Sequence, residues 1–145
     1  MTVLVDAYAV IAYLRDEPAS DQVADLLRGQ TLLAAVNAAE IMDQMVRVWH
    51  QDPDDVQVAL ALLVRSGMTI PDAGEVTALE AGRLRARHYD KRSCCVSMAD
   101  CFAAATALAA GVPLATSDPD LVALVLAENG KALPLPDGRG HVPKV

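Results

Sequence analysis

Short apolar segments alternate with helix-length segments along this chain, and this alternation restricts the possible folds more than any other feature. Between the apolar segments, helices are marked by Pro at their first turn and Gly at their end, as in "PASDQVADLLRG" and "PDDVQVALALLVRSG". Apolar strands that alternate with helices form βαβ units, which build a mostly parallel sheet covered on both faces. The sequence therefore predicts a three-layer α/β/α domain with four or five strands, at residues 2–5, 31–36, 68–71, 112–116 and 131–135.

The length and composition indicate one domain. The 145 residues are enough for a single core, which we place in residues 1–135, and the Gly- and Pro-rich residues 136–145 are expected to be loosely held. No apolar run approaches the roughly 20 residues of a membrane helix, and the N-terminus lacks the pattern of a signal peptide. Three clustered cysteines, with no metal-site spacing, suit reduced thiols. A cytoplasmic protein is expected.

The charge distribution allows two interpretations. A net charge of −7 argues against a general nucleic-acid binder, because phosphate backbones attract basic surfaces. Five of the twelve Lys and Arg residues nevertheless lie within "GRLRARHYDKR", namely Arg83, Arg85, Arg87, Lys91 and Arg92. This segment is either a solvated helix face or a surface that contacts RNA phosphates.

Four acidic residues occupy similar positions relative to the predicted strands. Asp6 follows strand 2–5, and Asp118 follows strand 112–116. Glu40 lies in the first helical turn after strand 31–36, and Asp100 opens the helix that precedes the strand before Asp118. Because ligands of open α/β sheets bind outside the carboxyl ends of the strands, at least three of these side chains should meet at that edge.

A purely structural role explains most of these acids when each is taken singly. "NAAE" predicts a capping box from Asn37 to Glu40, and "SMAD" predicts one that ends at Asp100. In "SDPD", Asp118 is suited to cap a helix whose first residue is Pro. Asp6 fits this interpretation less well, because it stands between apolar residues with no good capping geometry and no nearby basic partner.

Taken together, the four acids point to a cation. Carboxylates that converge without basic partners repel one another and raise some of their own pKa values. A divalent cation removes this repulsion, and oxygen ligands suit Mg²⁺ or Mn²⁺.

The segments "VLVDAYAV", "VNAAEIM" and "SMADCFAAATALAAGVPLATSDPDL" resemble the PIN-domain nucleases, and most of all the VapC-type toxins of toxin–antitoxin pairs. The resemblance implies that the acidic quartet of Asp6, Glu40, Asp100 and Asp118 binds Mg²⁺ or Mn²⁺ and is catalytic. It also implies auxiliary roles for Thr116, Asn37 and Asp120. In one departure, Ala7, Tyr8 and Ala9 stand where family members often carry Ser or Thr, which puts a hydroxyl contact from this turn in doubt.

The function that this resemblance implies is a metal-dependent endoribonuclease that acts as the toxin of a toxin–antitoxin pair. It implies an RNA substrate, a cognate antitoxin that covers the acidic cleft, and a homodimer. Two alternatives stay open: a PIN-fold binding module without catalysis, and a phosphatase that forms an aspartyl-phosphate on Asp6. Such phosphatases usually carry a second Asp two residues on, where this chain has Tyr8. A phosphorylated receiver domain fits poorly, because Lys131 lacks the expected context.

Overall fold

The computed structural model describes all 145 residues of the chain. It contains five strands: β1 (Thr2–Val5), β2 (Gln30–Leu32), β3 (Met68–Thr69), β4 (Leu114–Thr116) and β5 (Ala132–Pro134). Seven α-helices connect or follow them: α1 (Ala7–Leu14), α2 (Ser20–Leu27), α3 (Ala35–Asp43), α4 (Pro53–Arg65), α5 (Glu75–His88), α6 (Met98–Ala110) and α7 (Pro119–Ala127). A π-helical segment, Gln44–Val48, continues α3.

All five strands are parallel and form one sheet in the order β3-β2-β1-β4-β5. Leu4 in the central strand aligns with Leu32 on one side and Leu114 on the other. The chain builds outward from β1 to β3, then returns to add β4 and β5 on the opposite side. The strand order therefore reverses between β1 and β4, and such a switch point leaves a crevice at the carboxyl ends of the strands.

The core lies on both faces of the sheet. Successive side chains of a strand point to opposite faces, so Val3 and Val5 pack with α1, α2, α3 and α4, whereas Leu4 packs with α5, α6 and α7. Both groups of contacts consist mainly of fully buried Ala, Val and Leu side chains. The predicted three-layer α/β/α architecture with a parallel sheet is confirmed.

The predicted boundaries differ most around the second strand. The strand expected at 31–36 ends at Leu32, and α3 begins at Ala35. The Ala-rich sequence "AAVNAAE" favours helix over strand, so the strand stops as soon as it has paired with β1 and β3. Helix α5 begins at Glu75, after Gly74 at its N-cap.

Helix α6 ends at Gly111, whose φ of 66° lies in the left-handed region that glycine adopts without strain. Residues 136–145 contain no helix or strand. Asp137 organises a turn there, since its Oδ1 accepts hydrogen bonds from the backbone N–H groups of Arg139 and His141. That this segment is loosely held stays a prediction.

Candidate active site

Two of the predicted acids lie on either side of the switch point between β1 and β4. Asp6 follows β1 and caps α1, with its Oδ1 accepting a hydrogen bond from Ala9 N at 2.8 Å. Asp118 follows β4 and caps α7 in the same way, through Asp120 N at 2.9 Å. The expectation that Asp6 has no good capping geometry is wrong, because α1 begins at Ala7, immediately after the strand. The predicted cap at Asp118 is confirmed.

The other two acids come from helices. Asp100 closes a capping box at the start of α6, as predicted: Ser97 N donates to Asp100 Oδ2 at 2.8 Å, and Asp100 N donates to Ser97 Oγ at 3.0 Å. Glu40 lies inside α3, where Asn37 Nδ2 donates to its Oε2 at 3.1 Å. The capping box predicted at "NAAE" is wrong, because α3 begins two residues before Asn37 and its N-cap is Ala34.

Electrostatic interactions link the four carboxylates through Asp100. Burial is the largest cause of a raised pKa at Asp6, Glu40 and Asp118, and the charge of Asp100 raises all three pKa values further. The effect is greatest at Asp6, which is only 6% exposed and whose pKa rises from 3.8 to about 7. None of the four forms a salt bridge. We call these four residues the acidic cluster.

The three auxiliary residues, Thr116, Asn37 and Asp120, lie beside the acidic cluster and make different contacts. Thr116 is fully buried, its Oγ1 accepts a hydrogen bond from Asp118 N at 3.0 Å, and its hydroxyl opposes the rise in the pKa of Asp6. Asn37 is also fully buried, and its Oδ1 has no hydrogen-bond partner. Asp120 is turned towards the loop before α6, where its Oδ2 accepts a hydrogen bond from Cys95 N at 2.9 Å.

The donor set of the acidic cluster fits a hard divalent cation by its chemistry. Four carboxylates supply oxygen ligands, and the buried charge of Asp6 has no basic partner. In their present rotamers, however, no three His, Cys, Asp or Glu side chains form a group that could hold a metal ion. An ion such as Mg²⁺, which typically takes one or two protein carboxylates and several waters, needs no such group of three.

The basic segment is divided between several contacts. Arg87 pairs with Glu128 at the end of α7 that is remote from Asp118, and Arg83 pairs with Glu80 on its own helix. Arg85 donates from Nε to the Val96 carbonyl at 3.1 Å, ahead of the capping box of Asp100. Lys91 and Arg92 are exposed in the turn after α5. Only Arg85 is fixed near the acidic cluster by contacts in this structure.

Sequence reasoning missed a pocket that adjoins Glu40. It is lined by Glu40, by Tyr8 of α1, by Arg15 and Glu17 after α1, and by Trp49, which directly follows the π-helical segment. The guanidinium carbon of Arg15 lies 3.1 Å from the centre of the Trp49 ring. The sequence signal for this pocket is Trp49 itself, the single tryptophan of a chain that is only 3% aromatic. Its placement after a π-helical segment does not follow from the period of about 3.6 residues of an ordinary helix.

Comparison with known proteins gives the class of protein. The PIN domain family matches residues 3–125. The chain therefore belongs to the PIN domain family, as the sequence resemblance predicts. No curated protein sequence matches the chain significantly.

Several solved structures share this fold at low sequence identity. One is the toxin VapC20 from Mycobacterium tuberculosis, described as cleaving the sarcin–ricin loop, with 16% identity, TM-score 0.68, and 83% of this chain and 93% of that chain covered. Another is VapBC2 from Rickettsia felis bound to a promoter DNA fragment, with 16% identity and TM-score 0.66. The match covers 92% of this chain and 98% of that chain. A third is a toxin–antitoxin complex from Klebsiella pneumoniae, with 18% identity and TM-score 0.64. The match covers 83% of this chain and 90% of that chain.

None of the helices has both the length and the apolar character needed to cross a membrane.

Proposed function

We propose that this protein is a metal-dependent endoribonuclease that acts as the toxin of a toxin–antitoxin pair. One observation carries the proposal: four carboxylates converge at the sheet's switch point, and the most buried of them, Asp6, has no cationic side chain to balance it. A site of this kind suits a reaction in which a divalent cation, held by carboxylates, acts on a phosphate group of the substrate. The relatives of known structure that are toxins or toxin–antitoxin complexes support the toxin assignment.

In this proposal Asp6, Glu40, Asp100 and Asp118 hold Mg²⁺ or Mn²⁺, which when bound lowers the pKa of a water molecule and neutralises charge on the scissile phosphate. The chain's own residues fix the acids in place. The Ala9 N–H holds Asp6 Oδ1, and the Ser97 N–H holds Asp100 Oδ2. Thr116 links the acids that follow β1 and β4, because its hydroxyl interacts with Asp6 and accepts from Asp118 N.

Asn37 and Asp120 have subsidiary roles in this proposal. Asn37 orients Glu40 through its amide nitrogen, and its unpartnered Oδ1 stays available to a water or substrate donor. Asp120 fixes the loop before α6 through its Oδ2, and its other carboxylate oxygen stays available as a ligand. Arg83, Arg85, Arg87, Lys91 and Arg92 are proposed to contact RNA phosphates, with Arg85 the best placed of the five.

The proposed partners are an RNA substrate, a cognate antitoxin and a second copy of this chain, in a cytoplasmic setting. VapC20 is described as cleaving an RNA loop, and a single-stranded or looped RNA presents the unstacked bases that proteins read most easily. The homodimer is supported by exposed apolar side chains on α4, since Val58 is 59% exposed and Leu62 is 55% exposed. Light scattering of the purified protein measures the oligomeric state directly.

A binding module without catalysis is a second candidate, and one observation favours it: the acidic side chains as they stand form no three-membered group for a metal ion. The phosphatase alternative is weaker, because Asp6 is nearly inaccessible and its Oδ1 is held by Ala9 N.

A cleavage assay separates the two candidates. Wild-type protein should cleave single-stranded or looped RNA only with Mn²⁺ or Mg²⁺ present, and Asp100→Asn should lose this activity. Asparagine keeps an oxygen that accepts the Ser97 N–H bond, so the fold is preserved. The matched control is Asp72→Asn, which removes an exposed loop acid that makes no hydrogen bond or salt bridge and should leave cleavage unchanged. RNA binding without metal-dependent cleavage by the wild type would establish the binding module instead.

A further inference from the structure

A pocket opens between α1 and the π-helical segment, directly beside the acidic cluster. Its volume is about 290 Å³, close to the lower end of the ~300–1,000 Å³ that small-ligand sites occupy. Glu40 belongs both to the wall of this pocket and to the acidic cluster, where the charge of Asp100 acts on it. The pocket is therefore continuous with the site of the proposed reaction, and its size suits a single ring system.

An indole and a guanidinium group form one wall of the pocket. Trp49 follows the π-helical segment and is 41% exposed, and the guanidinium of Arg15 lies over its ring. π-Helical turns are frequent at functional sites. Unpaired nucleobases stack on such aromatic and guanidinium planes in many RNA-binding proteins. The wall thus has the chemistry of a stacking surface for a base.

Glu17 lines the pocket and carries an unsatisfied acceptor atom. Glu17 Oε1 accepts a hydrogen bond from Arg15 Nη1 at 2.8 Å, which also holds the guanidinium in place over the indole. Glu17 Oε2 is buried and has no hydrogen-bond partner. A buried acceptor left in this way costs free energy until a donor reaches it. The exocyclic amino groups of adenine, cytosine and guanine are such donors, whereas uracil has no amino group and offers only its ring N3–H.

We propose that this pocket binds the base of a nucleotide next to the scissile phosphate, and that Glu17 selects a base with an exocyclic amino group over uracil. The proposal rests on the ribonuclease function proposed above. It makes Trp49 the stacking residue and Glu17 the specificity-determining residue. A peptide from a protein partner is the competing occupant, but a planar wall and one free acceptor atom suit a base better than a branched or flexible side chain.

Trp49 is the only tryptophan in the chain, so its fluorescence reports on the pocket directly. The experiment uses the 145-residue chain with the substitution Asp100→Asn, which is expected to abolish cleavage, titrated with single-stranded oligo(A), oligo(C) and oligo(U) of equal length. Binding of the same labelled oligonucleotides is followed by fluorescence polarisation. We expect quenching by oligo(A) and oligo(C), and weaker binding of oligo(U) by about 2- to 10-fold, the range that one net hydrogen bond gives.

Two further variants identify the residues. Glu17→Gln should remove most of the discrimination against uracil, because the glutamine amide can donate as well as accept. Trp49→Ala should weaken binding by about 5- to 150-fold, as expected for the loss of one stacked base, and should raise KM more than it lowers kcat in the cleaving protein. Trp49→Phe should recover part of the loss. Val76→Ala, at an 84% exposed position on α5, is the control and should change neither binding nor cleavage.

The outcomes separate this inference from the proposed function. Metal-dependent cleavage together with unquenched Trp49 fluorescence on RNA binding would overturn the pocket assignment alone. Equal binding of all three oligonucleotides would overturn the role of Glu17. Absence of both RNA binding and cleavage would overturn the proposed function, and the inference with it. Quenching by a partner-derived peptide and not by RNA would assign the pocket to the protein partner and reject the nucleobase.

Discussion

The burial of Asp6 predicts an unusual dependence of stability on pH, which the substitution Asp6→Asn should abolish. Asp6 is 6% exposed, and in the folded chain its pKa rises from 3.8 to about 7, chiefly because burial disfavours the charged form. Asparagine has almost the same shape and keeps the oxygen that accepts the Ala9 N–H bond, so the cap of α1 is retained. The substitution therefore removes the charge and little else.

The sign and size of the effect follow from proton linkage. Between pH 3.8 and about 7 the folded chain holds a proton on Asp6 that the unfolded chain has released. Raising the pH across this interval therefore lowers the free energy of unfolding, and the loss levels off above pH about 7. Each pH unit between the two pKa values corresponds to about 1.4 kcal/mol, so the full interval corresponds to about 4 kcal/mol.

Urea denaturation of both proteins from pH 4 to pH 8, in metal-free buffer, measures this directly. Asp6→Asn should match the wild type near pH 4 and exceed its free energy of unfolding by up to about 4 kcal/mol at pH 8. Acids whose pKa values are lowered from 3.8, such as Asp90 and Asp137, complete their titration below this pH range and contribute little slope within it. These contributions cancel in the difference between the two proteins. A difference that does not grow between pH 4 and pH 8 would refute the reasoning, because Asp6 would then be ionised in the fold at no cost.

Three further predictions concern the metal, the basic segment and a packing contact. Mn²⁺ should raise the Tm of the wild type by mass action and leave that of Asp6→Asn nearly unchanged. The effect on the wild type should fade below pH 7, because Asp6 becomes protonated there. An equal shift in both proteins would exclude Asp6 as a ligand. Replacing Arg83, Arg85 and Arg87 by Gln should weaken RNA binding and flatten its salt dependence, and an unchanged salt titration would assign them to a solvated face. Gly130→Ala should lower the Tm without changing cleavage by the residual folded protein, because the new methyl would lie 2.7 Å from a side-chain carbon of α6.

Local rules were sufficient for two of the predicted helix caps. The caps at Asp118 and Asp100 follow from "SDPD" and "SMAD", because an N-cap side chain bonds to a backbone N–H two or three residues away. The same rules failed at Asp6 and Asn37. Each error came from misplacing a helix start, and the ends of helices are the positions where sequence patterns are least sharp.

Placement of the fourth acid and of the pocket depended on long-range packing. Glu40 follows no strand directly, and it reaches the acidic cluster only because α3 packs on the same face of the sheet as α1. Trp49 and Arg15 meet because a π-helical turn shifts the end of α3 out of its ordinary period. No pattern within a few residues of either position carries this information.

The sequence alone determined the fold class, because βα alternation leaves a parallel, doubly covered sheet as the favourable way to bury its apolar segments. It also determined which acids follow the strands, since the carboxyl ends of parallel strands share one edge. Only the tertiary structure decided how deeply Asp6 is buried, that Asp100 is the common neighbour of the other three acids, and that a pocket adjoins them. The physical reason is that desolvation and charge repulsion depend on distances between distant parts of the chain, which are fixed when the helices pack against the sheet.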